Sequence, residues 1–149
     1  MSIKYANNNS LSAITTQPSG LSSGAMTLLS TQTASASATI DFTSGIDDTY
    51  KEYLFTFNNI HPSVDKPEFQ IQFNAAGGSG FNETITSTSF ASLQYEDASA
   101  AELSYQTAHD LAQATGGQNL FANLSNDNDS SVTGDIMLFN PSSDRKSVV

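Results

Sequence analysis

His61 and His109 are the two side chains whose unperturbed imidazoles change charge near neutral pH. A hydrolytic triad would need one of them oriented by an acid and facing a serine, yet neither a Gly-x-Ser-x-Gly elbow nor a Ser-His-Asp spacing accompanies them. His61 stands between a strand pattern and Pro62, where a turn histidine hydrogen-bonds backbone, and His109 beside Asp110 reads as a local structural pair. Carboxylates are paired at Asp47-Asp48, Glu96-Asp97 and Asp127/Asp129, and glycoside hydrolysis would need two of them facing each other across a sugar-sized cleft. Tryptophan, a common sugar platform, is absent.

Hard oxygen donors are densest at Asn126-Asp127-Asn128-Asp129-Ser130-Ser131. A calcium loop would use them, but the glycine at the sixth place and the glutamate at the twelfth that an EF-hand requires are missing, so a solvated hairpin turn is the better reading. Gly77-Gly78-Ser79-Gly80 lacks the Lys-Ser/Thr of a phosphate loop and reads as a flexible turn. The sequons at Asn82-Glu83-Thr84 and Asn123-Leu124-Ser125 are expected by chance in so Asn/Ser/Thr-rich a chain. These residues point to no enzyme, with no catalytic group, metal or cofactor.

The elements that would position any site are strands. Glu68-Phe69-Gln70-Ile71-Gln72-Phe73-Asn74 sets an apolar residue at every second place, the period of a strand covered on one side and wet on the other. The pattern recurs, and strands are expected at 26–33, 37–43, 50–60, 68–74, 83–95, 102–107, 119–125 and 132–139. In 50–60, Tyr53, Phe55 and Phe57 share one face while Leu54 and Ile60 take the other, which suits a central strand covered on both sides. In 83–95, Phe90 falls on the opposite parity to Ile85, Leu93 and Tyr95, which hints at a bulge that switches faces. Turn chemistry lies at 43–48, 61–67 and 75–80, and a short helix is expected near 107–114. The fold class is all-β: an antiparallel β-sandwich, jelly-roll-like, with an extended N-terminal arm over 1–25 and the sandwich domain over 26–149. Ile3, Tyr5, Leu11, Ile14 and Leu21 are the apolar positions with which that arm would dock on a neighbouring subunit.

Composition narrows the partners. The 149 residues carry a net charge of -10, whose field repels phosphate backbones and anionic membranes, so neither nucleic acid nor membrane insertion is expected. No run of apolar residues is long enough to span a bilayer, and the start lacks the pattern of a cleaved signal. Cysteine is absent, which removes disulfides and thiolate sites together. Serine and threonine supply 38 residues and charged residues only 13%, a composition that suits sheets facing water or other subunits.

The run from Leu29 to Tyr50, followed by Tyr53-Leu54-Phe55-Thr56-Phe57-Asn58-Asn59-Ile60-His61-Pro62, resembles structural proteins of tailed, notably marine, bacteriophages. Tyr105, Asp110-Leu111-Ala112-Gln113-Ala114-Thr115-Gly116, the Asn126-Asp127-Asn128-Asp129 turn and Leu138-Phe139-Asn140-Pro141-Ser142-Ser143 extend the resemblance over most of 28–143. It implies a non-enzymatic virion component, of tail fibre, tail or capsid decoration, made in the host cytoplasm and located in the virion. The implied partners are other virion proteins and further copies of the chain in a homo-oligomer, a trimer among the symmetries. Such proteins generally continue past the Asn-Pro-Ser-Ser segment, whereas this chain stops at Lys146-Ser147-Val148-Val149, which reads as the start of a strand. Either the sequence is truncated or another chain completes an open sheet edge. A receptor-binding, lectin-like module contacting host surface polysaccharide is the alternative. Its loops would be 61–67, 75–82 and 126–131, with His61, Asp65, Asn82, Asp127 and Asp129 as binding candidates.

Overall fold

The computed structural model describes residues 26–142 and 147–148, and the chain divides into two units between Thr49 and Tyr50. In the first unit every described residue is exposed and none belongs to a strand, so the strands expected at 26–33 and 37–43 are absent there. The reason lies in their side chains. Their large apolar residues stay exposed, Met26, Leu28 and Ile40 among them, and so bury too little to offset the entropy of an ordered backbone. Local bonds compete as well: Ser37 Oγ donates to the Thr39 carbonyl at 2.8 Å, and the Thr49 amide donates to Asp47 Oδ1 at 2.8 Å.

The second unit holds the strands: β1 (Glu52–Ile60), β2 (Phe69–Ile71), β3 (Phe90–Gln94), β4 (Ala101–Tyr105), β5 (Gln118–Phe121), β6 (Val132–Phe139) and β7 (Ser147–Val148). All pairing is antiparallel and no helix occurs among the described residues, as an all-β reading requires. The sheets are small, ordered β1-β6-β7, β2-β5 and β3-β4. The helix expected near 107–114 is instead a turn in which the His109 amide donates to the Gln106 carbonyl at 3.0 Å. Gly116-Gly117 follows too soon for a helix to propagate.

β6 is central in its sheet, and its inward positions Val132, Ile136 and Leu138 are buried, at 9%, 7% and 3% exposure. Opposite them, β1 contributes Tyr53, buried, with Phe55 and Phe57 half-buried. β1 is an edge strand, which corrects the central placement expected for it; its outward Leu54 is 46% exposed. Ile60 is corrected too. A register shift between Phe57 and Ile60, with Asn59 at φ 55°, inserts one extra residue and sets Ile60 opposite inward-facing Val132. Asparagine tolerates that left-handed backbone better than a branched residue would.

Phe57 meets Phe69 of β2 edge-on, ring centroids 4.9 Å apart, and so joins the two sheets in an aromatic contact of about 1 kcal/mol beyond the area it hides. Phe69, Ile71 and Phe73 are all half-buried, as their alternation requires, although β2 stops at Ile71. Beyond it the Gln72 side chain takes over, donating to the Thr115 and Gly116 carbonyls at 2.8 Å each. The 83–95 segment keeps one parity throughout, with 83, 85, 87, 89, 91 and 93 half-buried and the residues between them exposed. No bulge switches its faces; Phe90 simply points outward at 69% exposure. An isolated bridge at Ile85↔Ala114 lies beyond the β3–β4 ladder, and between them the Ser87 amide donates to the Leu111 carbonyl while the Leu111 amide donates to Ser87 Oγ.

Candidate functional site

His61 leaves the end of β1 exposed to solvent, and its Nδ1 lies 2.7 Å from the Ser130 carbonyl. A carbonyl only accepts, so Nδ1 carries the proton, and in the neutral ring Nε2 is left as an acceptor. This bond spans 69 residues of sequence and ties the 61–67 loop to the 126–131 loop. Two further contacts hold the loops in place: the Lys66 amide donates to the Leu124 carbonyl at 2.7 Å, and Leu124 is 4% exposed. The Asn59 amide donates to Thr133 Oγ1 at 3.2 Å, whose hydroxyl donates to Asn58 Oδ1 at 3.1 Å.

Within the second loop, Ser125 Oγ donates to Asp127 Oδ2 at 2.8 Å and the Ser130 amide donates to the Asp127 carbonyl at 2.9 Å. The Asp127 carboxylate therefore shapes its own turn. Asp129, two residues on, is exposed, as is Asp65 in the 61–67 loop. Among the described residues no three His, Asp or Glu side chains converge as metal ligands.

Asn82 is not part of this grouping. Its turn closes on its own flanks, through Glu83 amide to Phe73 carbonyl at 3.2 Å and Ala75 amide to Glu83 Oε1 at 2.9 Å. Thus His61, Asp65, Asp127 and Asp129 lie on two adjoining loops, while Asn82 belongs to a separate one. Ile3, Tyr5, Leu11, Ile14 and Leu21 lie outside the described residues.

A second grouping escaped the sequence reading. Phe90 and Tyr105 face each other across the β3–β4 ladder with centroids 5.3 Å apart, and Leu103 stands on the same outward face. Their exposures are 69%, 45% and 76%. The parity of Phe90 against Ile85 and Leu93 was the available signal. The Tyr105 hydroxyl donates to the Asp110 carboxylate, and that bond pushes the phenol above its ordinary pKa. At the hairpin tip, Tyr95, Glu96, Asp97 and Ser99 line a shallow depression. Hydrogen bonds from the Ser99 side chain and amide hold Asp97 below the usual carboxylate value, so it stays ionised at neutral pH and is a poor proton donor there.

Compared with family models, curated proteins and solved structures, the chain matches none. Among the described residues no helix is long and apolar enough to cross a membrane.

Proposed function

We propose that this chain is a non-enzymatic structural subunit of a bacteriophage virion, a tail-fibre, tail-associated or capsid decoration protein that assembles through sheet surfaces. The observation that carries the reading is exposed apolar surface on ordered strands: Leu54 and Met137 outside β1–β6, and Phe90, Leu103 and Tyr105 outside β3–β4. Small sheets with such faces and open edges gain stability by packing against other chains. The sequence resemblance to tailed-phage structural proteins supports the same conclusion. In this reading the β1-β6-β7 and β2-β5 sheets, joined at Phe57–Phe69, are parts of an antiparallel, jelly-roll-like sandwich completed by neighbouring subunits. Other virion proteins and further copies of the chain are its partners.

Mass spectrometry of purified particles, with imaging to place the protein, tests this. Detection at a regular position in the tail or on the capsid lattice is expected, and absence from purified virions defeats the reading.

A lectin-like receptor module is the second reading, favoured by the His61–Ser130 bond that brings two polar loops side by side. Recognition loops of this kind are held by the scaffold beneath them. Host-polysaccharide binding by the isolated protein, lost on replacing His61 and Asp127 together, would support it. Normal virion assembly without any glycan binding rejects it.

A further inference from the structure

We infer that the β3–β4 hairpin, through an open edge and the outward face beside it, is a docking surface for an extended, basic segment of another protein, which adds a strand to the hairpin. This deepens the structural-subunit reading by naming the chemistry of one partner, and it rests on that reading only for where the partner is found.

The hairpin is incomplete by physical criteria. Its two strands of five residues have no third strand among the described residues. A lone two-stranded ribbon is marginal in water, and a third strand or a covering layer is the usual remedy. Its outward face carries Phe90, Ser92 and Gln94 on one strand and Ala101, Leu103 and Tyr105 on the other, all exposed. An apolar centre is therefore presented on a two-stranded ladder with no third strand at either edge among the described residues, the arrangement that strand addition uses for affinity and specificity.

Charge selects the occupant. Glu96 and Asp97 stand at the tip of the hairpin, and Asp110 is bonded to Tyr105 at its other end, whereas Glu102, paired with Leu93, belongs to the opposite face. No lysine or arginine occurs between Lys66 and Arg145, so nothing in this part of the chain offsets those carboxylates. An apolar centre inside an acidic rim fits a strand whose apolar side chains cover Leu103 and Phe90 while its lysines or arginines reach the rim. A second copy of the chain would bring the same acidic rim and a net charge of -10 against its own kind.

The test titrates the full chain with a labelled peptide of alternating lysine and valine, followed by fluorescence anisotropy. Saturable binding is expected, weakened by added salt, and absent for the counterpart peptide with glutamate in place of lysine. Leu103→Asp and Phe90→Ser should each weaken it about tenfold or more, the loss typical of a central contact residue. Both positions are exposed, so unchanged circular dichroism will show that the variants still fold. A lysine-valine peptide N-methylated at every backbone amide retains charge but has no N–H to donate to a ladder along either edge, and it should bind at least tenfold more weakly.

Any of four results overturns the inference: no binding of the lysine-valine peptide, undiminished binding to both variants, equal binding of the N-methylated peptide, or a self-association of the protein that Leu103→Asp abolishes. Absence of the protein from virions would sink the structural-subunit reading and leave this binding untouched.

Discussion

The ring of Phe57 lies directly over Gly134, its partner across the β1–β6 ladder. A Cβ built on Gly134 would come within 2.8 Å of the Phe57 Cζ and 3.0 Å of its Cε2. The same ring also meets Phe69 edge-on. An aromatic side chain laid across a strand glycine hides backbone that no side chain covers.

Gly134→Ala is therefore expected to destabilise the protein by about 1–3 kcal/mol, the range for overpacking, even though alanine is the better strand residue. Urea unfolding reads this as a lower midpoint. Combining it with Phe57→Leu should recover part of the loss, a non-additivity that the double-mutant cycle isolates. Strict additivity would mean that the two positions do not touch.

Asn119 predicts a gain. The polar atoms of its side-chain amide are buried and neither has a hydrogen-bond partner among the described residues. Such a group forfeits its hydration without replacement. Asn119→Leu should raise stability by about 1 kcal/mol, seen as a higher urea midpoint at unchanged slope. A lower midpoint would refute the assignment of Asn119 as uncompensated.

The Tyr105–Asp110 bond sets an alkaline limit. Its phenol titrates above the ordinary value of 10.0 because its hydroxyl donates to the Asp110 carboxylate. Since the native pKa is the higher one, the stabilisation is fully present below 10.0 and is lost as pH rises through the native value. The difference in ultraviolet absorbance between wild type and Tyr105→Phe should place this phenol above 10.0, and Asp110→Asn should bring it down. Titration unchanged by Asp110→Asn would contradict the pairing.

Removing the His61 side chain should free one loop without unfolding the sheet. His61→Ala is expected to speed amide hydrogen exchange in 126–131 while global stability falls by no more than about 1 kcal/mol, the net worth of one exposed hydrogen bond. Unchanged exchange there would show that the His61–Ser130 bond does not restrain the loop.

Much of the strand content was legible because alternation is a local property. Val132 to Phe139 is a strand at its expected bounds, and Phe69, Ile71 and Phe73 face inward as their spacing demands. Lys146 to Val149 read as a strand start, and Ser147–Val148 pairs with β6. Misreadings fell where alternation lacks volume or meets an irregularity. The stretches 26–33 and 37–43 had a strand-like rhythm but bury little, and the extra residue at the Asn58-Asn59 step reversed the face of Ile60. The polar loops were recognisable from their turn residues, but the union of 61–67 with 126–131 was not, because His61 and Ser130 lie 69 residues apart.

Residue types and their order thus determined the all-β character, the half-buried aromatic faces and the acidic balance, since each follows from side-chain period or from summed charge. Which strand lies at an edge, which loops adjoin and which apolar face stays uncovered were decided only in the tertiary structure. Strand pairing joins residues far apart along the chain, and a period of two says that a side chain has a face without saying what stands opposite it.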